Sequence, residues 1–346
     1  MGRVVGAAAI ALLATTIGCG DDGTTSAGAG GASATGGGGA GGAAPTNPYA
    51  PERTLDPASY DCRAEGSIPT PAARPHDLAC VLDPACSGRF VAAHRLGTAF
   101  APENTRSALR AAILLGVDVG ETDVRLTKDG RVVLVHDGTI DRTLEGTGDV
   151  SALTLSELQA LAVRPDPTDP AGDFACERVL TLEDALELAT GRIVLEFETK
   201  DTLAGVATAE YLHDAGLTDA AYVQCSPDEC DAIRAAVPDA PLMVRVNDEA
   251  DLARAEAYDP PPRLVELTSE PAQTTPEILA RVQALGAKAF TNAFGTGDAL
   301  IVLGEYDLAP TKYLGWYEQG LDVLQSEYPH AVLLALGRLA PSEGGL

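Results

Sequence analysis

From Arg89 onward the chain repeats one pattern: a short apolar run, then a longer segment whose apolar residues recur at helical spacing. The runs are "RFVAAHR", "GVDVGETDVRLT", "RIVLEFETK", "AAYVQCS", "PLMVRVN", "RLVELTS", "AKAFTN" and "LDVLQSEYP". Between several of them lie "TRSALRAAILLG", "TLEDALELATG", "LAGVATAEYLHDAG", "PDECDAIRAAV", "EADLARAEAY" and "TPEILARVQALG". Repeated strand-helix units make a parallel sheet, because each helix carries the chain back to the end where the next strand starts. Eight such units predict an α/β fold of the closed kind, a (β/α)8 TIM barrel. A further run, "RVVLVHDGTIDR", has no helix of its own before it and follows the turn signal Lys128-Asp129-Gly130, so it is read as a hairpin strand inserted after the second strand. An open, doubly wound sheet is the competing arrangement for the same pattern.

The barrel domain is assigned to residues 89–346 of the 346-residue chain. Residues 48–88, rich in proline and cysteine and without clear periodicity, read as an irregular lead-in. Residues 20–47 form a Gly/Ala/Ser-rich linker with too little apolar surface to fold. Residues 1–19 read as a signal peptide: one basic residue, then an apolar run from Val4 to Ile17 too short to span a bilayer. Thr16-Ile17-Gly18-Cys19 is similar to the bacterial lipobox, with threonine where leucine is usual, which implies a lipidated Cys19. The expected location is outside the bacterial cytoplasm, as a lipoprotein facing the periplasm or cell surface. Cleavage at another small residue would instead release a secreted protein.

Beyond Cys19 there are Cys62, Cys80, Cys86, Cys176, Cys225 and Cys230, an even number in a chain with an export signal, so disulfides are favoured over metal ligation. Cys80 with Cys86 and Cys225 with Cys230 are near enough for local bridges, but spacing leaves the full pairing open. A net charge of −26 disfavours nucleic acid and anionic membrane surfaces as partners. The only expected membrane contact is the N-terminal anchor; nothing in the sequence fixes an oligomeric state. An anionic small substrate would need a local positive site set against the field of the whole molecule.

In a barrel the chemistry sits at the carboxyl ends of strands, so polar residues closing apolar runs are the informative ones. His94 and Arg95 close the first run, and His136 and Asp137 the inserted one. Period-2 alternation places Glu121 with Asp123 on one face of the second strand, and Glu196, Glu198 and Lys200 on one face of the third. Carboxylates crowded inside a barrel repel one another and resist desolvation, and a divalent cation resolves both problems. All-oxygen donors favour calcium, magnesium or manganese. The competing account is an ordinary network with Arg125, Lys200 and other bases. Two imidazoles beside such a site could take one proton from a nucleophile and give another to a leaving alkoxide.

These motifs together resemble the glycerophosphodiester phosphodiesterase family: His94-Arg95, "PENT" at Pro102 to Thr105, "ETDVRLTKDG" from Glu121 to Gly130, "VHD" ending at Asp137, and Glu198-Thr199-Lys200. Order and spacing agree with that family from about Val91 to Pro329, densely up to Lys200. The resemblance implies hydrolysis of a glycerophosphodiester to glycerol 3-phosphate and an alcohol. It implies catalytic His94 and His136, one cation (Ca2+ or Mg2+) on Glu121, Asp123 and Glu198, and phosphate contacts from Arg95 and Lys200. Glu103 and Asn104 have either a substrate role or a role at the start of the following helix, whose N-terminus could face an anion and for which Asn104 or Thr105 is the candidate cap. Glu196 is an additional acid that either supports the metal or pairs with a core base. Trp316 and Tyr317 are expected to pack rather than form a substrate platform.

Three departures stand out: Leu96 where the family usually has glycine, Gln325-Ser326-Glu327 in place of a Thr-Asp ending, and "AFTNAFG" in place of an aromatic-rich segment. They leave two alternatives open. One is a lysophospholipase D or sphingomyelinase-D-like lipid phosphodiesterase on the same scaffold; the other is a catalytically inactive, metal-binding surface module.

Overall fold

The computed structural model describes residues 47–164, 172–268 and 274–340. The signal peptide, the lipidation site, all but the last residue of the linker, and the location inferred from them lie outside the described residues.

The strands are β1 Phe90–Ala93, β2 Val119–Leu126, β3 Val132–Leu134, β4 Val194–Thr199, β5 Ala221–Cys225, β6 Leu242–Val246, β7 Leu264–Leu267, β8 Lys288–Asn292 and β9 Val323–Ser326. β1 pairs with both β2 and β9, all in parallel, and the order β1-β9-β8-β7-β6-β5-β4-β2 closes an eight-stranded barrel. The open-sheet alternative is thereby excluded. β3 lies outside this ring, antiparallel to the end of β2, with Val124 opposite Leu134. Its hairpin turns at Gly130, whose φ of +72° a glycine adopts without strain.

The predicted helices form, and side chains at their first residues explain where they start. Thr105, Thr181, Asp201, Asp248 and Thr275 each accept a backbone N–H from the first turn of the helix that follows. The helices Leu155–Gln159, Ala299–Val302, Ala309–Glu318 and Pro329–Ala335 were not legible, because they are short or interrupted by Gly and Pro. Tyr317 is buried and donates its hydroxyl to the Phe90 carbonyl at 2.7 Å, and Trp316 is also buried, so both pack as expected.

The barrel interior is divided along its axis. Its lower part is apolar: Phe90, Ala92, Val119, Val194, Tyr222, Met243, Leu264, Phe290 and Val323 cluster with Val81 and Leu82 of the lead-in, which seals that end. Two or four residues further along the same strands, the same register carries Glu121, Asp123, Glu196, Glu198, Gln224, Arg245, Glu266 and Gln325, most of them buried. Period 2 therefore delivers an apolar floor and a polar ceiling from the same strands. Below the floor, buried Asp118 accepts bonds from Val91 N–H (2.8 Å) and Arg338 (2.6 Å) and meets His76 at 2.9 Å, fastening lead-in, barrel and C-terminal segment together.

The cysteines pair as Cys62–Cys176, Cys80–Cys86 and Cys225–Cys230. The two local bridges are those that spacing suggested. The third joins the lead-in to a loop 114 residues away.

After β1 the backbone enters the left-handed region at three successive residues, Arg95 (φ 47°), Leu96 (φ 69°) and Gly97 (φ 119°). A leucine there costs about 1–2 kcal/mol. It is retained because Leu96 is fully buried over Gly120 of β2, where a methyl group in place of the glycine hydrogen would lie 3.1 Å from Leu96 Cδ2 and 3.3 Å from Leu195 Cδ2. Leu96→Gly is therefore expected to relieve strain yet destabilise by about 1–4 kcal/mol through the cavity left. Gly120→Ala alone should cost about 1–3 kcal/mol by overpacking, and clearly less in the Leu96→Gly background. Urea midpoints of the four proteins decide; strictly additive effects would remove the proposed coupling.

His330, fully buried, has its Nε2 2.8 Å from the Tyr49 carbonyl, and burial lowers its pKa from 6.5 to about 4. The unfolded chain thus binds this proton below about 6.5 whereas the folded one does not until about 4. The associated stability is complete above pH 6.5 and is lost as pH falls to 4, by about 3 kcal/mol. Urea unfolding of wild type and His330→Gln between pH 7 and 4 should show the wild type losing that much more; parallel profiles would refute it.

Candidate active site

The register between β2 and β4 sets Glu121 beside Glu196 and Asp123 beside Glu198. One carboxylate oxygen each from Glu121, Asp123 and Glu198 lies within 4.8 Å of the others, and all three residues are buried. Like charges this close in a poorly solvated interior cannot all remain ionised without compensation. Burial first, then the fields of Asp123, Glu198 and Glu196, push the Glu121 pKa well above the usual carboxylate range. Glu198 goes the other way: burial works against its charge, but Arg245 and Lys200 hold it down to about 2. Arg245 reaches Glu198 at 2.8 Å and Glu266 at 2.8 Å, while Lys200 Nζ lies 2.6 Å from Glu198 and 3.2 Å from Asp123. Of the bases named in the competing network, Lys200 does pair with the acids. Arg125 instead donates to backbone, to the His136 carbonyl at 2.9 Å.

The chain's own donors satisfy part of the triad. Glu121 Oε2 accepts the Arg95 backbone N–H at 2.6 Å and the Gln325 amide at 3.1 Å. Asp123 Oδ2 accepts the Asn104 amide at 2.8 Å. Glu121 Oε1, buried, accepts no hydrogen bond among the described residues, and Asp123 Oδ1 has only the Lys200 ammonium at 3.2 Å. Buried acceptors are normally satisfied, so an orphaned Glu121 oxygen within a cluster of three carboxylates fits a hard divalent cation with oxygen ligands. Glu196 takes no part in the triad; it sits deeper, accepts the Tyr222 hydroxyl at 2.8 Å, and is pushed toward its neutral form by burial.

Both histidines follow strands that pair with β2. His94, buried just after β1, has its Nδ1 2.7 Å from Glu327 Oε1, with the Phe294 ring 4.6 Å away between centroids. His136, just after β3, has its Nδ1 2.7 Å from Asp137 Oδ1. The His136 hydrogen bond, together with that from Arg142, holds Asp137 well below the usual carboxylate range. An ionised carboxylate only accepts, so each imidazole donates through Nδ1–H.

Neither Glu103 nor Asn104 caps the following helix. Thr105 caps the helix Arg106–Leu115, and the N–H groups of Arg106 and Ser107 donate to the buried carboxylate of Glu177, so that N-terminus faces an internal anion. Asn104, at φ 56°, instead orients Asp123 and accepts the Thr122 hydroxyl at 2.6 Å. Glu103 is gripped by Arg95 at 2.8 Å and by both terminal nitrogens of Arg142 at 2.6 and 2.8 Å. Arg142 also donates to Asp137 at 2.7 Å, so an unbroken chain of ion pairs runs from Arg95 to His136.

Sequence reasoning missed Arg142, Arg245, Gln325 and Glu327. Arg245 was detectable, being a charged residue two positions after Met243 in the inward register of β6. Gln325 and Glu327 stand out in the sequence only as departures from the family pattern.

A family model, "Glycerophosphoryl diester phosphodiesterase family", matches residues 94–304. Curated relatives include a glycerophosphodiester phosphodiesterase of Caldanaerobacter subterraneus, 46% identical over 100 residues covering 29% of this chain and 40% of that enzyme. Human glycerophosphodiester phosphodiesterase 1 is 37% identical over 115 residues, 31% of this chain and 33% of that protein. The chain thus aligns with less than half the length of either relative. Among solved structures, a glycerophosphoryl diester phosphodiesterase of Parabacteroides distasonis superposes with a TM-score of 0.63 at 24% identity, covering 78% of this chain and 95% of that one. An Oleispira antarctica phosphodiesterase, in complex with the product sn-glycerol-3-phosphate, gives 0.56 at 24% identity over 72% and 97%. The structures support the barrel fold, and the family match spans more than half of the sequence: the chain belongs to the glycerophosphoryl diester phosphodiesterase family.

Proposed function

We propose that this protein hydrolyses glycerophosphodiesters to glycerol 3-phosphate and an alcohol. The observation that carries the reading is the convergence, at one end of the barrel, of two carboxylate-paired imidazoles with a buried acid triad in which a Glu121 oxygen accepts no hydrogen bond among the described residues. The Oleispira antarctica relative, in complex with glycerol 3-phosphate, supports the same product.

In this reading Glu121, Asp123 and Glu198 hold one divalent cation, calcium or magnesium, which supplies Lewis-acid polarisation of a phosphoryl oxygen. One imidazole Nε2 takes the proton of the nucleophile, and the other returns a proton to the leaving alkoxide. Arg95 and Lys200 would stabilise charge developing on the phosphoryl oxygens. Arg142 and Glu103 keep Arg95 and the His136–Asp137 pair in fixed relation. We also propose export and lipid anchoring; three disulfides support an oxidising compartment. Radiolabelled palmitate incorporated by wild type and not by Cys19→Ala would verify the anchor.

The purified protein is expected to release glycerol 3-phosphate from glycerophosphocholine or glycerophosphoethanolamine, and His136→Ala to lose at least about 100-fold in kcat with its thermal midpoint unchanged. Wild-type turnover in that variant would remove the histidine from the mechanism. Choline released from lysophosphatidylcholine without glycerol 3-phosphate from either diester would move the assignment to a lysophospholipase D. Silence on all three substrates would favour the inactive module.

Cation binding has a readout independent of turnover. Calcium or magnesium at a hundredfold excess over Kd should stabilise the fold by about 3 kcal/mol, seen as a raised thermal midpoint. Asp123→Asn should abolish that gain. An equal gain in the variant would rule out the triad as the binding site.

A further inference from the structure

Glu327 lies beyond the family match and has no role in the reading above. We infer that Glu327 is the positioning residue of His94: its carboxylate holds the imidazole in the Nδ1–H tautomer and so assigns the reaction to Nε2. The kinetic consequence rests on the hydrolase reading; the tautomer does not.

The contact itself is short, with His94 Nδ1 2.7 Å from Glu327 Oε1. What makes it a positioning device is the way the carboxylate is held. Its second oxygen accepts the Thr98 hydroxyl, from the turn that follows His94. The backbone N–H of Glu327 donates to Asp298 Oδ2 at 2.8 Å. Asp298 is in turn held by the hydroxyls of Ser326 at 2.7 Å and Tyr313 at 2.8 Å. The end of β9, the turn Phe294–Asp298 and the helix Ala309–Glu318 therefore all fix where Glu327 can be. On the other side Phe294 stands against the imidazole and restricts its rotation.

An imidazole held at Nδ1 by an acceptor has one tautomer when neutral, which is how carboxylates orient histidines that act through Nε2. His136 has the same arrangement with Asp137, whose other oxygen accepts from Arg142. The two histidines are thus served by two different carboxylates, one adjacent in sequence and one 233 residues away.

The test uses full-length protein labelled with 15N-histidine. Five histidines give a tractable spectrum, and His94→Gln identifies the His94 signals. Wild-type His94 should carry a proton on Nδ1, either alone or as imidazolium. In Glu327→Gln the neutral ring should redistribute toward the Nε2–H tautomer, with kcat falling about 10- to 100-fold and KM within about twofold. Glu327→Asp, which restores a carboxylate, should recover part of both. A neutral wild-type His94 with bare Nδ1 overturns the inference without any variant, so it stays falsifiable even if Glu327→Gln does not fold. Unchanged tautomer and kcat in folded Glu327→Gln overturn it as well. If the tautomer responds to Glu327→Gln while wild type releases no glycerol 3-phosphate, the pairing stands and the hydrolase reading fails.

Discussion

Repulsion among carboxylates that the barrel register forces together governs the upper half of this molecule. Glu121, Asp123 and Glu198 cannot drift apart, because β2 and β4 are locked in parallel register and the apolar floor beneath them is packed and sealed by the lead-in. Every neighbouring polar group responds to that constraint. Lys200 and Arg245 neutralise Glu198, the Arg95 backbone N–H and Gln325 serve one oxygen of Glu121, and Asn104 serves one oxygen of Asp123. The left-handed turn at Arg95, Leu96 and Gly97 belongs to the same response, since it brings the Arg95 N–H to Glu121. Backbone strain is sustained there because a buried acceptor would otherwise lose its best donor.

Much of this was legible because period 2 in a strand is a rigid rule. With the apolar runs as barrel strands, the inward positions follow, and with them the triad and its proximity to both histidines. Residues whose role depends on a side chain's reach across the barrel were not legible. Glu327 meets His94 only because closure of the sheet brings β9 against β1, and Arg142 meets Glu103 only because two loops converge. Asn104 was ambiguous for a different reason: asparagine and threonine both cap helices, and the left-handed backbone that removes Asn104 from that task is not written in its identity. Cys62–Cys176 was closed to sequence reading, since its partners are neighbours in the fold alone.

Leu96 shows how a departure from family pattern can be absorbed. Glycine would meet the left-handed backbone without strain, whereas leucine meets it by burying its side chain where Gly120 leaves room. The compensation lies on the adjacent strand, 24 residues along the chain and in direct contact. Substitution at either position is therefore a statement about both.

The proposed function raises the question of how a protein of net charge −26 would receive an anion. A helix N-terminus is a common solution, but the one following "PENT" is already occupied by the Glu177 carboxylate. The positive field must come from elsewhere, and the cations around the triad are paired with acids: Arg95 to Glu103, Arg142 to Glu103 and Asp137, Lys200 to Glu198, Arg245 to Glu198 and Glu266. A substrate phosphate would meet a field close to neutral or below it. Glu121, Asp123 and Glu198, if they held a divalent cation, would have less negative charge to offer Lys200, whose ammonium would then be available to phosphate. Under the proposed function, metal binding and substrate binding would be coupled through one lysine, and a strongly acidic surface would be compatible with an anionic substrate.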